Sequence, residues 1–514
     1  MIKNSKIKVV NFKETLWNAA EKLRNKMDAA EYKHIVLCLI FLKYISDKFD
    51  IQRKKLTKIF IDPKSDFFIG EDPKVIEKEL EDRDYYIQDN VFWVPQKSRW
   101  EKLRAQAKQS DIGLIIDKAM VEIENENKFL QGKLDRRFGK SALDDVKLGG
   151  LIDLISRIGF SDEDKEEDML GEVYEYFLGK FSAAEGKKGG EYYTPACVVK
   201  MLVEIISPFK GRVYDPCCGS GGMFVQSQSF IKSHGGKVDD VSIYGQESNP
   251  TTWRLAVMNL AIRGFSVDLG EKHADTFSND QFLDYKFDYI LANPPFNVSD
   301  WDGDKHQNDP RWVYGNPPVG NANYAWLQHI IHKLNPKGTA GVVLASGASS
   351  SKGIEQDIRS HIVKNDLIEI MISLPSKLFL NSPTTSTMIW ILNKNKNKKE
   401  EILFVDTRSM GKEISRTQVI LENENIDLIK KTISNWRSNN NYKDLKGFCK
   451  SLNVNLIDKS SWSISPSRYV GIEEENIKSE KIDNLIKDYL KLETESVELE
   501  KKLNQNFKII KDLQ

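Results

Sequence analysis

Two short stretches of this sequence hold residue types that could do chemistry together. The first is Val213-Tyr214-Asp215-Pro216-Cys217-Cys218-Gly219-Ser220-Gly221-Gly222. An apolar run ends on a carboxylate and passes into a glycine-rich turn, where the backbone can approach a ligand closely. The Gly-Lys-Ser/Thr ending of a phosphate loop is absent, and the spacing is not the dinucleotide fingerprint, so a kinase or ATPase loses its main support. The second stretch is Asn293-Pro294-Pro295-Phe296, directly after Phe-Asp-Tyr-Ile-Leu-Ala. The prolines forbid a helix start and fix the backbone. They carry no N–H, so the turn offers acceptors: the Asn293 side-chain oxygen and the Pro294 carbonyl. An aromatic three residues on can stack on a planar ring. Such a turn suits a base swung out of its duplex, with an amine to be held.

Two more acids lie between these stretches. Tyr244-Gly245-Gln246-Glu247 ends an apolar run on a carboxylate that can accept both hydroxyls of a ribose,. Ala274-Asp275-Thr276-Phe277 puts an acceptor for an exocyclic amine beside an aromatic face. Each acid alone could be ordinary surface; three at successive strand ends of one sheet are not. Methyl transfer to an amine needs mainly orientation and no covalent enzyme intermediate, so Cys217 and Cys218 are expected to pack rather than attack. His329 and His332 share a helical face without a cysteine or acidic ligand set, and no metal is expected.

These residues need a frame. From about residue 190, β-rich runs alternate with helical ones: VYDP, SIYGQE, FDYILANPP, AGVVLAS, LIEIMISLP, TSTMIWILN and EILFVD as strands, PTTWRLAVMNLAIRG and NYAWLQHIIHKL as helices. This predicts a doubly wound α/β sheet, with the acids at its carboxyl edge, where cofactors bind. Residues 300–318 read as a polar loop near that edge, carrying Trp301 and Trp312. The basic run at 393–401 reads as a surface connection between two strands, with a phosphate contact as the less favoured alternative. Residues 10–155 read as helical from apolar residues at three- and four-residue spacing, with a helix pair between 112 and 158; the acidic run 162–168 reads as a linker or helix start. A last 3–4 repeat, Ile482, Leu485, Tyr489, Leu492, Leu499, Leu503, Ile510 and Leu513, predicts a terminal helix that wants another helix beside it. The expected domains are 1–155 helical, 156–472 catalytic and 473–514 a coiled-coil-like helix.

Bulk composition narrows the partners. Lys+Arg and Asp+Glu stand at 75 each in 514 residues, so a grip on nucleic acid must come from a local surface or a partner. Five cysteines make no disulfide framework,. The longest apolar block, 35–42, is far short of the roughly twenty residues that cross a bilayer. No secretory leader is seen, and a cytoplasmic protein without a membrane segment is expected.

DPCCGSGG, the NPPF turn and the upstream Gly190-Glu191-Tyr192-Tyr193-Thr194-Pro195 resemble amino-methyltransferases acting on DNA adenine. Nearly the whole chain resembles the modification subunit of type I restriction-modification systems. LWNAAEKLRNKMDAAEYKHIVLCLIFLKYISDKF looks like that family's N-terminal helical domain, and FWVPQKSRW, WLQHIIHKLNPKGTAGVVLASG, LPSKLFLNSPTTSTMIWILNK, GFCKS and ISPSRYVG fit it too. The sequence departs from the family at Ser467, often glycine there, and at Ser382-Pro383-Thr384-Thr385, often a Gln-Ile-Pro stretch.

The resemblance implies a Rossmann-like S-adenosylmethionine-dependent methyltransferase sheet between a helical N-terminal domain and a C-terminal helical tail. It implies methyl transfer to the 6-amino group of adenine in double-stranded DNA. Asp215, Gly219, Ser220 and Gly221 would shape the pocket for the cofactor's methionine part, Glu247 would take its ribose, and Asp275, with Thr276 and Phe277, its adenine. Glu191, Tyr192, Tyr193, Thr194 and Pro195 would cover it. Asn293, Pro294, Pro295 and Phe296 would hold and stack the target base, with Asn293 also beside the cofactor. The implied partners are a specificity subunit that chooses the target, flanked by two copies of this chain, and a restriction subunit in the full complex. An RNA or protein methyltransferase, a self-sufficient restriction-and-modification enzyme and a non-enzymatic DNA-binding scaffold are the rival readings. The helical domain and terminal heptads weigh against the first. The missing helicase phosphate loop and missing recognition segment weigh against the second. The three acids with the complete Asn293 turn weigh against the third.

Overall fold

The computed structural model describes residues 2–24, 27–141, 143–157, 173–174, 176–181, 194–236, 240–263, 267–379, 384–416, 418–471 and 479–512. Met1–Val470 cluster as one compact unit and Gly471–Gln514 as another.

Among the described residues of the first unit, nine strands form one sheet. In chain order they are β1 (Gly211–Asp215), β2 (Val241–Gly245), β3 (Val267–Asp268), β4 (Phe287–Ala292), β5 (Leu334–Ala345), β6 (Ile368–Ser373), β7 (Thr387–Asn393) and β8 (Glu401–Asp406); a separate hairpin of β9 (Lys412–Ser415) and β10 (Gln418–Ile420) precedes the ninth, β11 (Cys449–Asn453). The order across the sheet is β11-β8-β6-β7-β5-β4-β1-β2-β3. β1 pairs in parallel with both β2 and β4, and β4 with β5. β7 runs antiparallel between β5 and β6. From β1 the chain winds outward to β2 and β3, then returns to the other side for β4 and β5. Order therefore reverses at β1, and such a reversal leaves a crevice outside the carboxyl ends of the strands.

Helices cover both faces, which is why the strands read as near-continuous apolar runs. Alternate side chains enter different cores. Val213, Leu291, Val343, Ile370, Ile372 and Leu403 join one core with the Ala196–Ile206, Pro250–Ile262 and Asn423–Arg437 helices. Tyr214, Ile290, Val342, Leu344, Met371 and Phe404 join the other with the Asn323–Lys333 and Ile354–Lys364 helices. All seven sequence-predicted strands are present. β3, β9, β10 and β11 were not anticipated: β3 is two residues long and β9 is exposed throughout.

The N-terminal region is helical, with no strand among its described residues to 157. The expected pair between 112 and 158 is Ile112–Glu126 and Asp145–Ile155, the latter capped by Asp144 accepting from Lys147 N at 2.9 Å,. The long Ala29–Ile61 helix is apolar all round over 35–42, because neighbours enclose it. Cys38 Sγ lies 3.8 Å from Met258 Sδ of the sheet's own layer. On another side Ser46 accepts from Trp100 N at 2.8 Å. The 162–168 run lies outside the described residues.

Residues 300–318 form a loop without helix or strand, and Trp301 and Trp312 are buried in it beside Phe277 and Trp326. The 393–401 run joins β7 to β8 as expected. It is not uniformly solvated: Lys396 is buried and ion-paired with Asp366. Near the end of the unit, buried Arg359 donates to the carbonyls of Trp462 at 2.6 Å and Ser461 at 3.0 Å, drawing the ISPSRYVG segment against the sheet layers. Ser467 sits in a single 3-10 turn, Pro466–Arg468, with no positive φ, so no glycine is needed there. Ser382 and Pro383 lie outside the described residues.

The second unit contains the Ser479–Asp512 helix. Its Tyr489, Leu492, Leu499 and Leu503, all members of the predicted repeat, are exposed. Among the described residues no helix is long and apolar enough to cross a membrane.

Candidate active site at the strand ends

β1 ends on Asp215 and the chain turns at once through its glycines. Gly219 and Gly221 have φ of +54° and +82°. A Cβ at Gly221 would also lie 3.1 Å from Leu260 Cδ1, so a side chain there would be both strained and crowded. Asn259, on the Pro250–Ile262 helix, holds the turn from behind by donating to Ser220 O at 2.8 Å. Asp215 is buried and accepts from Cys217 N at 3.0 Å. Burial pushes its pKa up to about 7, and the Glu247 carboxylate adds to the rise,. Burial likewise pushes the Cys217 and Cys218 thiols well above their usual range. Neither is a ready nucleophile, in keeping with a packing role.

The next strand end is tied to this turn. Gln246, fully buried, donates its N–H to Asp215 O at 3.0 Å and accepts from Cys218 N at 2.9 Å. Its side chain donates to Ala274 O at 3.3 Å and Asn279 O at 2.9 Å. One residue on, Glu247 accepts from Gly219 N at 3.0 Å and from Asn249 N at 2.8 Å. Asp275 Oδ1 accepts from Phe277 N and Ser278 N at 3.0 and 2.9 Å, which closes the loop behind it. Thr276 Oγ1 donates to Pro216 O at 2.5 Å. Arg311, from the 300–318 loop, fixes the same backbone by donating to the carbonyls of Thr276 at 3.0 Å and Phe277 at 2.6 Å.

Asn293 follows β4, the other parallel neighbour of β1. It is 9% exposed. Its Nδ2 donates to Thr194 Oγ1 at 2.8 Å, while its Oδ1 is buried with no hydrogen-bond partner. An orphan acceptor in such a place costs free energy unless something fills it. Asn297 ends the turn at φ +55°, which asparagine tolerates,. It exchanges two hydrogen bonds with Asn323, at 3.0 and 2.8 Å. Phe296 is 7% exposed, with its ring edge-on to Phe379 at 6.0 Å.

These groups surround adjoining cavities. Thr194, Asp215, Cys217, Gly219, Ser220 and Asn293 line one. The other, about 350 Å³, shares Cys217, Gly219, Ser220 and Asn293 and adds Glu247, Asp275, Thr276, Phe277 and Pro295. Pro195 stands at the N-cap of the Ala196–Ile206 helix. Gly221 and Pro294 sit beside wall residues, and Phe296 packs behind the wall on Phe379. Glu191, Tyr192 and Tyr193 lie outside the described residues. Sequence reasoning missed Gln246, Asn259, Arg311 and Asn323 as supports. It also missed Lys33 and Leu178, from the N-terminal half, which line the larger cavity with Asp300 and Trp301. Only Gln246, beside Glu247 at a strand end, carried a local signal.

A sheet that reverses at β1, with an acid at the end of that strand and an asparagine just after its neighbour β4, meets two matching family descriptions: N-6 DNA Methylase over residues 165–478, and HsdM N-terminal domain over residues 12–155. The chain belongs to the family of type I restriction-modification methylase subunits. It is an adenine-specific DNA methyltransferase. The MjaIX methylase subunit of Methanocaldococcus jannaschii is 37% identical over 97% of this chain and 89% of its own length. The HindI methylase subunit of Haemophilus influenzae is 41% identical over 80% of this chain and 98% of its own. The solved type I methyltransferase subunit of Streptococcus thermophilus shares the fold, with TM-score 0.74 over 90% of this chain and 99% of that one at 23% identity.

The raised Asp215 pKa has a consequence for this methyltransferase alone in solution. The folded state holds the proton more tightly than the unfolded chain, raising the pKa from the ordinary 3.8 to about 7. This group's contribution to stability is therefore full below about pH 4 and is lost as pH rises through 7. Asp215→Asn, which cannot ionise, should melt at a higher temperature than the parent protein above pH 7, with the gap closing as pH falls toward 4. Calorimetric Tm values across that range check it; parallel profiles for the two proteins would remove Asp215 as the buried titrating group.

Proposed function

We propose that this chain moves the methyl group of S-adenosylmethionine to the 6-amino group of adenine in double-stranded DNA, at sites chosen by a separate specificity subunit. One observation carries the reading: buried Asn293 Oδ1 lacks a partner on the same wall as Asp215, a buried carboxylate with no cation among the causes of its shift. The first calls for a donor and the second for a positive charge. An adenine amine and the ammonium of a methionine group fit those demands, and the 350 Å³ cavity has the size of a small-ligand site,.

Asp215, Gly219, Ser220 and Gly221 would hold the methionine part. Glu247 would take the ribose hydroxyls, and Asp275, Thr276 and Phe277 the cofactor's adenine. The 191–195 stretch would cover it. When bound, the cofactor supplies a methyl group on a sulfonium, already disposed to leave. Asn293 Oδ1 and the Pro294 carbonyl accept the hydrogens of the target amine, drawing its lone pair out of the ring and aiming it. The Asn293–Thr194 bond fixes that aim. Phe296 stacks on the base once it turns from Phe379. The Phe277–Trp301–Trp326 cluster keeps water from the wall.

The roles separate in measurement. Glu247→Ala should weaken S-adenosylmethionine binding about tenfold or more by calorimetry, a charged acceptor being lost. Asn293→Ala should leave that affinity nearly intact and cut methyl transfer about a hundredfold. Equal loss of affinity and activity in Asn293→Ala would refute the division.

The catalytic region then needs a partner to find its target, and the terminal helix is the natural handle. Its exposed repeat is too apolar on one side to stay in water. We assign it to packing on the specificity subunit, two copies of this chain flanking one such subunit, with a restriction subunit joining the full complex. Leu492→Glu with Leu499→Glu should leave S-adenosylmethionine binding unchanged and abolish a stable complex with the specificity subunit in size-exclusion chromatography with light scattering. Undiminished assembly by this variant would take the helix out of the interface.

A further inference from the structure

Two sequence features stand outside that function: the lysine run at 393–401 and the histidine pair His329 and His332. The fold brings a member of each to one place. Where β4 and β5 begin, at the end of the sheet opposite the Asn293 turn, a cavity of about 420 Å³ is lined by Lys286, His332, Lys394 and Arg311, with Tyr314 and Ile331 among its walls. Lys286 Nζ donates to His332 O at 2.5 Å, and Lys394 Nζ donates to Leu334 O at 2.8 Å.

The charges there do not cancel. Arg311 is matched by Asp309 at 2.7 Å, and neighbouring Lys333 by Asp280 at 2.5 Å. Among the described residues, Asp280 also acts on Lys286 from its pair with Lys333, but no carboxylate stands at ion-pair distance from Lys286 or Lys394. Burial first, and then Lys286, Lys333, Arg311 and Lys394, lower the His332 pKa to about 4, so its ring is neutral at physiological pH. Burial lowers the Lys394 pKa, and Lys286 adds to the shift. Two ammonium groups and a neutral imidazole thus converge on a half-enclosed space with apolar walls, an arrangement that an anion would relieve.

We propose that this cavity binds a phosphate group, with Lys286 and Lys394 as its charged partners and the Tyr314 side as the wall for whatever body the phosphate carries. A free nucleotide and a DNA backbone share that chemistry. Compact ammonium groups suit phosphate as point charges.

The test titrates inorganic phosphate, adenosine monophosphate and a short DNA duplex separately into the full chain and into Lys286→Gln/Lys394→Gln. Phosphate or the nucleotide should bind the parent protein and lose about tenfold or more in affinity in the variant, with recovery in Lys286→Arg/Lys394→Arg. A loss seen with the duplex alone would support the site and assign its phosphate to DNA. If the double variant fails to show a cooperative melt, Lys286→Gln alone, at an exposed position, should still weaken binding severalfold. Affinities for all three probes that are indifferent to these substitutions would overturn the proposal.

Discussion

β1 and β4 lie side by side and parallel, with Val213 opposite Tyr289 and Tyr214 opposite Ile290. That register brings the carboxylate ending one strand and the amide following the other to a single crevice. A slip of one residue would turn every buried side chain of a strand to the wrong face. Because both faces are packed, by Val213 and Leu291 on one side and Tyr214 and Ile290 on the other, the register is strongly held. Placement of these two candidate groups is therefore a by-product of core packing. The turns beyond the strands need only short local devices: left-handed glycines at 219 and 221, and proline restriction at 294 and 295.

The same packing creates a polar tension that the proposed function would use. Asp215 and Asn293 sit at the ends of strands too well buried for water to serve them freely. Their neighbours satisfy them only in part: a backbone N–H for Asp215, and a Thr194 hydroxyl that occupies only the donor end of Asn293. Around them, by contrast, the supports are richly bonded. Gln246 links three segments, and Arg311 holds two carbonyls of the Thr276–Phe277 loop. A rigid surround with incompletely satisfied groups at its centre is what preorganised binding requires.

Much of this was legible in the sequence because it is local. Strands buried on two faces announce themselves as apolar runs, and their ends mark the acids and the Asn293 turn. The terminal heptads announce a helix. What was not legible depends on partners distant along the chain. Asn259 matters only because its helix passes behind Ser220, Asn323 because it faces Asn297, and Lys33 because the N-terminal half reaches the cavity. Phe296 reads as a ring that can stack on a base; that it packs on Phe379 is something sequence spacing cannot reveal. The lysine run reads as a surface connection, but Lys396 within it is buried on Asp366 through a contact thirty residues away. Short or exposed strands such as β3 and β9 carry no pattern to detect.

The proposed function requires one crevice, opened by strand reversal at β1, to receive the methyl donor on its glycine turn and acids. Hydrogen exchange read by mass spectrometry, with and without S-adenosylmethionine, addresses it directly. Slowed exchange is expected in peptides covering residues 217–222, 247–249 and 275–278, with no change around 286 or 394. Slowing confined to other segments, with 217–222 unaffected, would contradict it.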